Sequence, residues 1–357
     1  MLTKFSGIRI RAIGAASGKL KHDVVSACSS FLDERHARRL VKTLGFENVR
    51  EVPLSMTTAD LCVEIAKQLL EGEGIDPGSV GALVLVTQTN DSIAPATVFG
   101  MQQRLGLSEE CFLDDIINGC AGSVHGLFEG CSLIASGAAD RVIVCFGDTY
   151  CKIREIDESD QKANAALFGD GAGAVIVERD PIAGDLFFAI RAHGSLAGAI
   201  RDNKGSERAA RVAKAVQLGM LPPEALEPYK QRGIQIAGTA IASYAIDQVI
   251  PCVTDLLRFS GIPKEEISCF LLHQANKTVL KAVALSMGVP EEKIPFAAKD
   301  TGNTSSASLA LAITESPKVQ ALLSHGPCVL SAFGVGMNCA CMEGNLCTAR
   351  IYETLYF

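Results

Sequence analysis

The feature that most restricts the fold of this chain is a strand and helix grammar written twice along it. GIRIRAIGAASG alternates like a strand, and TTADLCVEIAKQLLEGEG reads as a helix opening on a Thr cap and closing at Gly. VGALVLVTQ is a continuous apolar run, the pattern of a strand covered on both faces. PATVFGMQQRLG reads as a helix starting at Pro95, whose missing N–H costs nothing in a first turn. CFLDDIIN, AGSVHGLFEGCSLIASG and DRVIVCFGD follow as strand, helix and strand, and FGDGAGAVIVERD as a Gly-rich turn feeding another strand. The first half is therefore βαβαβαββ, with the polar helix LDERHARRLVKTLG inserted early.

The second half repeats the order. LFFAIRAHGSL is strand-like, AGTAIASYAIDQVIPCVTDLLRFSG a long helix, ISCFLLHQ a strand and NKTVLKAVALSMG a helix. KIPFAAKDT, SSASLALAITES, PCVLSAFGV and MNCACMEG then read as strand, helix, strand, strand. Two halves, residues 1–182 and 183–357, each a mostly parallel sheet with helices on its faces, stack as an α/β five-layer α-β-α-β-α sandwich with its site between the halves. A 48% hydrophobic content with 33 Gly and no Trp suits such close layers.

A net charge of −7 argues against nucleic acid as a partner, because phosphate binding needs concentrated cations. Two basic groups survive: Arg35, Arg38, Arg39 and Lys42, and Arg201, Lys204, Arg208, Arg211 and Lys214. Each is either a solvated helix face or a contact for a phosphate or an acidic partner. The opening MLTKFSGIRIRAIG lacks the apolar core of a signal peptide, and no run of about 18 apolar residues suggests a membrane span. Thirteen thiols without a short disulfide framework point to a reducing cytoplasm. Cys339 and Cys341 share one face of a strand, but no C-x-x-C pair sets up a metal site.

Chemistry concentrates at Asn118-Gly119-Cys120-Ala121-Gly122-Ser123, where a strand turns into a small-residue helix and puts a thiol in the first turn. The helix N-terminus favours thiolate, and a thiol moved from about 8.5 to 6.5–7 gains roughly 2–3 kcal/mol in its ionised form. The competing reading is a small core residue. The repeat aligns Cys120, after the third strand of the first half, with Asn303 of GNTSSASL, after the third strand of the second; His273 of LLHQAN ends the second strand there. Polar groups at strand ends near a seam are where α/β proteins hold ligands. His273 alone could be a core histidine, and Asn303 a helix cap, although Thr304 or Ser305 could cap instead. FGDGAGA enters a strand and is a structural turn rather than a phosphate cradle. His125 reads as packing, and Asp115 and Asn118 have no evident task.

Taken in order, GCAGSVHGL, FGDGAGA at 168–174, LLHQAN, GNTSSAS and FGVG at 333–336 resemble the thiolase superfamily over nearly the whole chain, and within it the β-ketoacyl-acyl-carrier-protein synthase III branch. The resemblance implies an acyltransferase of fatty acid biosynthesis with a Cys120, His273 and Asn303 triad. Cys120 accepts an acyl group from a thioester; a malonyl-carrier protein then loses carbon dioxide, and the enolate left is held by neutral imidazole and carboxamide. The oxyanion hole is implied to be the backbone N–H groups of Cys120 and Val335, the latter often Gly in the family. Ala94, Asn276 and Gly334 are implied substrate contacts. Ala94 stands where the family often has an aromatic residue reaching across the dimer, which predicts a pocket for a primer longer than acetyl. The Arg and Trp residues that grip CoA in bacterial housekeeping members have no match, so acyl-carrier protein stands beside acyl-CoA as donor. The implied protein is a cytoplasmic homodimer without metal or redox cofactor. Two further readings are an acyltransferase of secondary metabolism using a non-malonyl nucleophile, and an architectural subunit of a heterodimeric condensing enzyme.

Overall fold

The computed structural model describes residues 1–29, 31–151, 167–202, 207–229 and 234–357. Its two large sheets use the strands β1 (Leu2–Phe5), β2 (Ile8–Ser17), β3 (Ala82–Val86), β4 (Phe112–Ile116), β5 (Arg141–Asp148), β6 (Gly171–Arg179), β7 (Leu186–Ala192), β8 (Cys269–Leu272), β9 (Pro327–Gly334), β10 (Asn338–Asn345), β11 (Arg350–Ile351) and β12 (Leu355–Tyr356). The seven-stranded sheet runs β11-β2-β6-β5-β3-β4 with β12 also on β2; the five-stranded sheet runs β1-β7-β10-β9-β8. The N-terminal strand thus joins the second sheet, and the last two strands join the first.

The sandwich arises because strands such as β3 are apolar on both faces. Val84 and Val86 face the space between the sheets, and Leu83 and Leu85 face the outer helices. The outer helices of the first sheet include α1 (Thr58–Glu73) and α2 (Thr97–Leu105). The middle layer is α3 (Gly122–Ala135) and, later in the chain, Ser308–Glu315; Val124, Leu127 and Ile134 meet Leu309, Leu311 and Ile313 there. The second sheet is covered by α4 (Gly238–Ser260) and α5 (Lys277–Met287), so the middle helix Ser308–Glu315 is α6. Five layers result, as expected. The middle helix α3 lies close on its sheet because Gly122, Gly126 and Gly130 line one side; a Cβ at Gly122 would sit 2.1 Å from Val86 Cγ1. α4 is long and apolar enough to cross a membrane by composition, yet Cys252, Val253, Leu256 and Leu257 are buried in the core beside the second sheet.

Three expectations are corrected. The second sheet is mixed, with β8 and β9 parallel but β1-β7, β7-β10 and β10-β9 antiparallel, whereas in the first sheet parallel pairings (β4-β3, β3-β5, β11-β2 and β12-β2) prevail as expected over the antiparallel β2-β6 and β6-β5. KIPFAAKDT forms no strand. The Gln274 side chain takes the Ala297 N–H (2.7 Å) and donates to the Pro295 carbonyl (3.3 Å), and the Lys299 carbonyl accepts from Glu47 and Asn48, so its backbone groups are satisfied without a ladder. The helix α2 starts at Thr97 rather than Pro95, which follows Ala94 through a cis bond. Its first N–H groups, of Thr97 and Val98, donate to the Asp115 carboxylate at 2.7 and 3.1 Å, which gives Asp115 its task as a cap supplied from β4.

Arg35, Arg38, Arg39 and Lys42 are exposed on the helix Glu34–Leu44, where Arg38 pairs with Glu34 one turn away. Arg208, Arg211 and Lys214 are exposed on Glu207–Gln217, with Arg211 paired to Glu207; Lys204 and the Arg201 side chain lie outside the described part. Both groups have the form of solvated helix faces.

Candidate active site

Strand ends and helix starts from both halves converge on one cavity of about 540 Å³, lined by Cys120, His273, Asn303, Ser305, Gly334 and Val335 among others. Cys120 sits in the single turn Gly119–Ala121 that leads into α3, with Gly119 at φ 51° setting the bend. Two close approaches fix it. A Cβ at Gly334 would lie 2.9 Å from Cys120 Cβ and 3.4 Å from its Sγ, and a Cβ at Gly119 would lie 2.6 Å from Val335 Cγ2. The end of β9 is therefore pressed against the nucleophile turn. Among the described residues the Val335 N–H has no acceptor, and the Cys120 N–H is directed at its own Sγ, where it favours the ionised sulfur. Val335 has no need of a left-handed backbone; Gly336, at φ 90°, takes the turn instead.

The thiol does not rest as a thiolate. Burial pushes it up to about 12; the Ser305 hydroxyl works against burial and the Asp148 carboxyl adds to it. Desolvation thus outweighs the helix end from which a lowered value is expected.

His273 follows β8 and is buried, with Nδ1 2.7 Å from Ser308 Oγ and its ring edge-on to Phe333. Burial drives it down to about 4, so it is neutral at pH 7. The Gln274 N–H also donates to Ser308 Oγ at 3.4 Å; when the Ser308 hydroxyl donates to Nδ1, the neutral ring carries its proton on Nε2. Asn303 accepts the Ser305 N–H on Oδ1 at 2.9 Å, leaving its NH₂ as the donor end. Thr304 holds the N-cap position of the following turn without a side-chain bond, and the Asn303 bond to the Ser305 N–H orients the amide. The FGDGAGA segment clamps the Asn303 backbone: the Gly169 N–H donates to its carbonyl (3.1 Å), and its own N–H donates to Leu167 (2.9 Å). Asn303 follows no strand and is held by this isolated bridge.

Other residues fall less simply. Asn276 lines the cavity, but its Oδ1 caps α5 by accepting the Val279 N–H at 2.9 Å. Ala94 is exposed beside the fully exposed Ile93 and lines no part of the cavity of its own chain. His125 does more than pack: Nε2 lies 3.0 Å from Asn338 Oδ1, and Asn338 Nδ2 donates to Asn118 Oδ1 (2.9 Å) and to the Val335 carbonyl. This chain ties the Val335 loop to the segment before Cys120, and burial lowers the His125 pKa. Two residues gain a place at the site that sequence reasoning does not give them. Ser305, at φ 52°, places its hydroxyl 3.6 Å from Cys120 Sγ, and Asp148, at the end of β5, is wholly buried beside it. Among the described residues no group of three or more His, Cys, Asp or Glu could hold a metal ion.

The site therefore offers a nucleophilic sulfur on a cavity that the Cys120 and Val335 backbone also lines, and an uncharged imidazole and carboxamide from the other half. Uncharged donors stabilise a developing oxyanion without giving up a proton, and each such donor contributes about 3–4 kcal/mol in comparable sites.

Comparison with known proteins bears on the chemistry. The model of the family described as 3-oxoacyl-[acyl-carrier-protein (ACP)] synthase III matches residues 115–194, and that of its C-terminal part matches residues 257–343. The chain is 32% identical over 311 residues to the β-ketoacyl-[acyl-carrier-protein] synthase III of Streptococcus equi subsp. equi, covering 87% of this chain and 90% of that protein. It is 30% identical over 290 residues to the enzyme of the same description from Streptococcus agalactiae, covering 81% and 84%. Its structure is similar to that of a 3-oxoacyl-(acyl-carrier protein) synthase from Burkholderia xenovorans, with a TM-score of 0.87, 28% identity and coverage of 100% and 99%.

Proposed function

The chain belongs to the β-ketoacyl-acyl-carrier-protein synthase III family and is a condensing enzyme of the acyltransferase type, and from that premise we propose how its residues divide the work. Cys120 carries the acyl group. Its sulfur attacks the thioester carbonyl, and the oxyanion that forms is received by the Cys120 and Val335 N–H groups. The donor thiol leaves and an acyl-Cys120 thioester remains. A malonyl thioester then takes its place in the cavity and loses carbon dioxide. His273 Nε2–H and the Asn303 NH₂ hold the resulting enolate oxygen while its carbon attacks the acyl group, giving a 3-oxoacyl thioester and free Cys120. Neutral His273 suits this role, because an imidazolium would protonate the enolate.

The observation that carries this reading is the meeting of thiol, imidazole and carboxamide on one cavity that Val335 also lines. Gly334 acts as the close wall of the acyl site. Asn276 faces the thioester arm. Residues 1–182 supply the nucleophile half, and residues 183–357 the His and Asn half. The chain works in the cytoplasm as a homodimer on acyl-CoA or acyl-carrier-protein thioesters with malonyl-acyl-carrier protein, without metal or cofactor, and engages neither membrane nor nucleic acid. Support for the dimer is the edge strand β4, whose Phe112 is exposed beside exposed Ile93, Phe99 and Ile117. Ala94 lies in that patch, where its action is on the partner's pocket. Mass spectrometry after incubation with acyl-CoA or acyl-carrier protein tests the core of the reading: an adduct at Cys120 is expected, and its absence with both donors overturns the covalent route.

A further inference from the structure

A buried thiol that rests protonated must lose its proton before or as it attacks, and the residue in contact with it is not His273. Cys120 Sγ meets Ser305 Oγ at 3.6 Å, whereas His273 is bonded through Nδ1 to Ser308. Ser305 is the one described non-glycine residue at positive φ (52°), a conformation that costs about 1 kcal/mol or more and persists only where the surroundings enforce it. Here Asn303 Oδ1 enforces it through the Ser305 N–H.

On the far side of Ser305 is the Asp148 carboxyl. Its Oδ1 accepts from the Gln88 N–H (2.7 Å) and from the Thr87 and Thr89 hydroxyls (3.2 and 3.4 Å). Its Oδ2 is fully buried with no hydrogen-bond partner. The titratable groups whose charge couples to it from neighbouring elements are Cys120 at the start of α3 and Cys62 on α1, and among the described residues it has no ion-pair partner. A wholly buried carboxyl with one oxygen satisfied three times and the other left open, with no cation beside it, is costly unless the open oxygen has a use. The Ser305 hydroxyl interacts with this carboxyl and favours its ionised form.

We propose that Ser305 and Asp148 form the route by which the Cys120 thiol loses its proton, Ser305 touching the sulfur and Asp148 acting through Ser305 as a positioning residue that takes the proton up. In acyl loading the Sγ–H proton passes to Ser305 Oγ as the Ser305 O–H proton passes to Asp148 Oδ2. The freed sulfur pair forms the bond to the acyl carbonyl carbon. The donor carbon–sulfur bond then breaks with its pair on the donor sulfur, which takes the proton back from Asp148 through Ser305 and leaves as a thiol. No oxidant, reductant or further reactant enters. The Sγ to Oγ contact is loose in the resting protein and tightens as charge develops, as hydrogen bonds of proton-transfer groups do. Burial that raises Asp148 to about 6 makes it a better acceptor than an exposed carboxylate while leaving it ionised at neutral pH.

The test is Asp148→Asn, which keeps the shape and the three accepted bonds but cannot take a proton, together with Ser305→Ala. Two readouts are followed against pH on the full chain: acyl loading of Cys120, and its alkylation by iodoacetamide, which needs no acyl donor. In the unaltered protein both rates rise through about pH 6 and level off. Each variant is expected to lose that limb, to slow by roughly 100-fold at pH 7 and to recover only in strong alkali. A variant with an unchanged circular dichroism spectrum and Tm that alkylates and loads at the original rate, with the original profile, overturns the relay. If Asp148→Asn does not fold, Ser305→Ala decides alone. The inference rests on Cys120 as the acyl carrier, and the two arms separate the failures. Asp148-dependent alkylation without any acyl adduct sinks the loading reading and keeps the relay, and the converse sinks only the relay.

Discussion

Replacing His273 by Gln removes a buried imidazole whose protonation opposes folding, and the effect on acid stability follows from the structure. In the folded protein burial holds His273 near 4; in the unfolded chain it returns to about 6.5. As pH falls the unfolded state takes up the proton first, so the stability associated with neutral His273 is complete above about pH 6.5 and is lost on the way down to 4. At about 1.4 kcal/mol per tenfold change, the loss reaches about 2.5 kcal/mol by pH 4.5. Asp148 runs the other way. Its folded value, about 6, is raised above the 3.8 of the unfolded chain, so its contribution is complete below pH 3.8 and lost as pH rises through 6. Between pH 7.5 and 4.5 it returns about 2 kcal/mol. The two nearly cancel in the unaltered protein. His273→Gln should therefore gain about 2.5 kcal/mol relative to it over that interval, and Asp148→Asn should lose about 2. Urea unfolding at several pH values measures both; far-UV circular dichroism is the signal, because the chain has no Trp. A stability difference between His273→Gln and the parent that stays constant within about 0.5 kcal/mol from pH 7.5 to 4.5 refutes the buried neutral imidazole.

Cys120→Ala should abolish the acyl adduct, while Asn303→Ala should load normally but fail to condense; acyl-enzyme mass spectra and product assays on the same samples separate the two. Gly334→Ala puts a methyl group 2.9 Å from Cys120 Cβ, so loading should fall at least roughly tenfold and stability by about 1–3 kcal/mol, read by adduct kinetics and urea midpoint. Asp115→Ala leaves the first N–H groups of α2 without their carboxylate and should cost about 1–2 kcal/mol, measured by denaturation, with Cys120 alkylation unchanged because α2 lies in the outer layer.

The layers were readable because burial leaves its period in the sequence. Val84 and Val86 against Leu83 and Leu85, and the paired runs PCVLSAFGV and MNCACMEG, announce strands covered on both faces. Cys120, His273 and Asn303 were readable from local motifs at element junctions. KIPFAAKDT reads as a strand yet forms none, because its backbone groups are met by the Gln274 side chain, 21 and 23 residues away, and by the distant Glu47 and Asn48 N–H groups. Pro95 was misread because the acceptor that starts α2 comes from Asp115 on another strand. No local pattern carries either fact. Asn338 likewise has no sequence signature as the joint between His125, Asn118 and the Val335 loop.

The electrostatic state of the site is the least readable part and has the strongest consequence. A helix start argues for a thiolate, and that argument takes one element at a time. In the folded chain the same turn is enclosed by β9 and by Ser305 and faces Asp148, and enclosure wins: the sulfur is held protonated and the imidazole neutral. Such a site carries little charge at rest, which suits an apolar acyl chain entering it, and must generate charge by moving a proton. The fixed N–H donors lower the energy of that charge wherever it forms, on the acyl oxygen or on the enolate. What they cannot do is accept the thiol proton. Among the described residues Asp148, coupled to the sulfur through Ser305, is an ionised acceptor for it, and that role accounts for a buried carboxyl with an open oxygen at the end of β5.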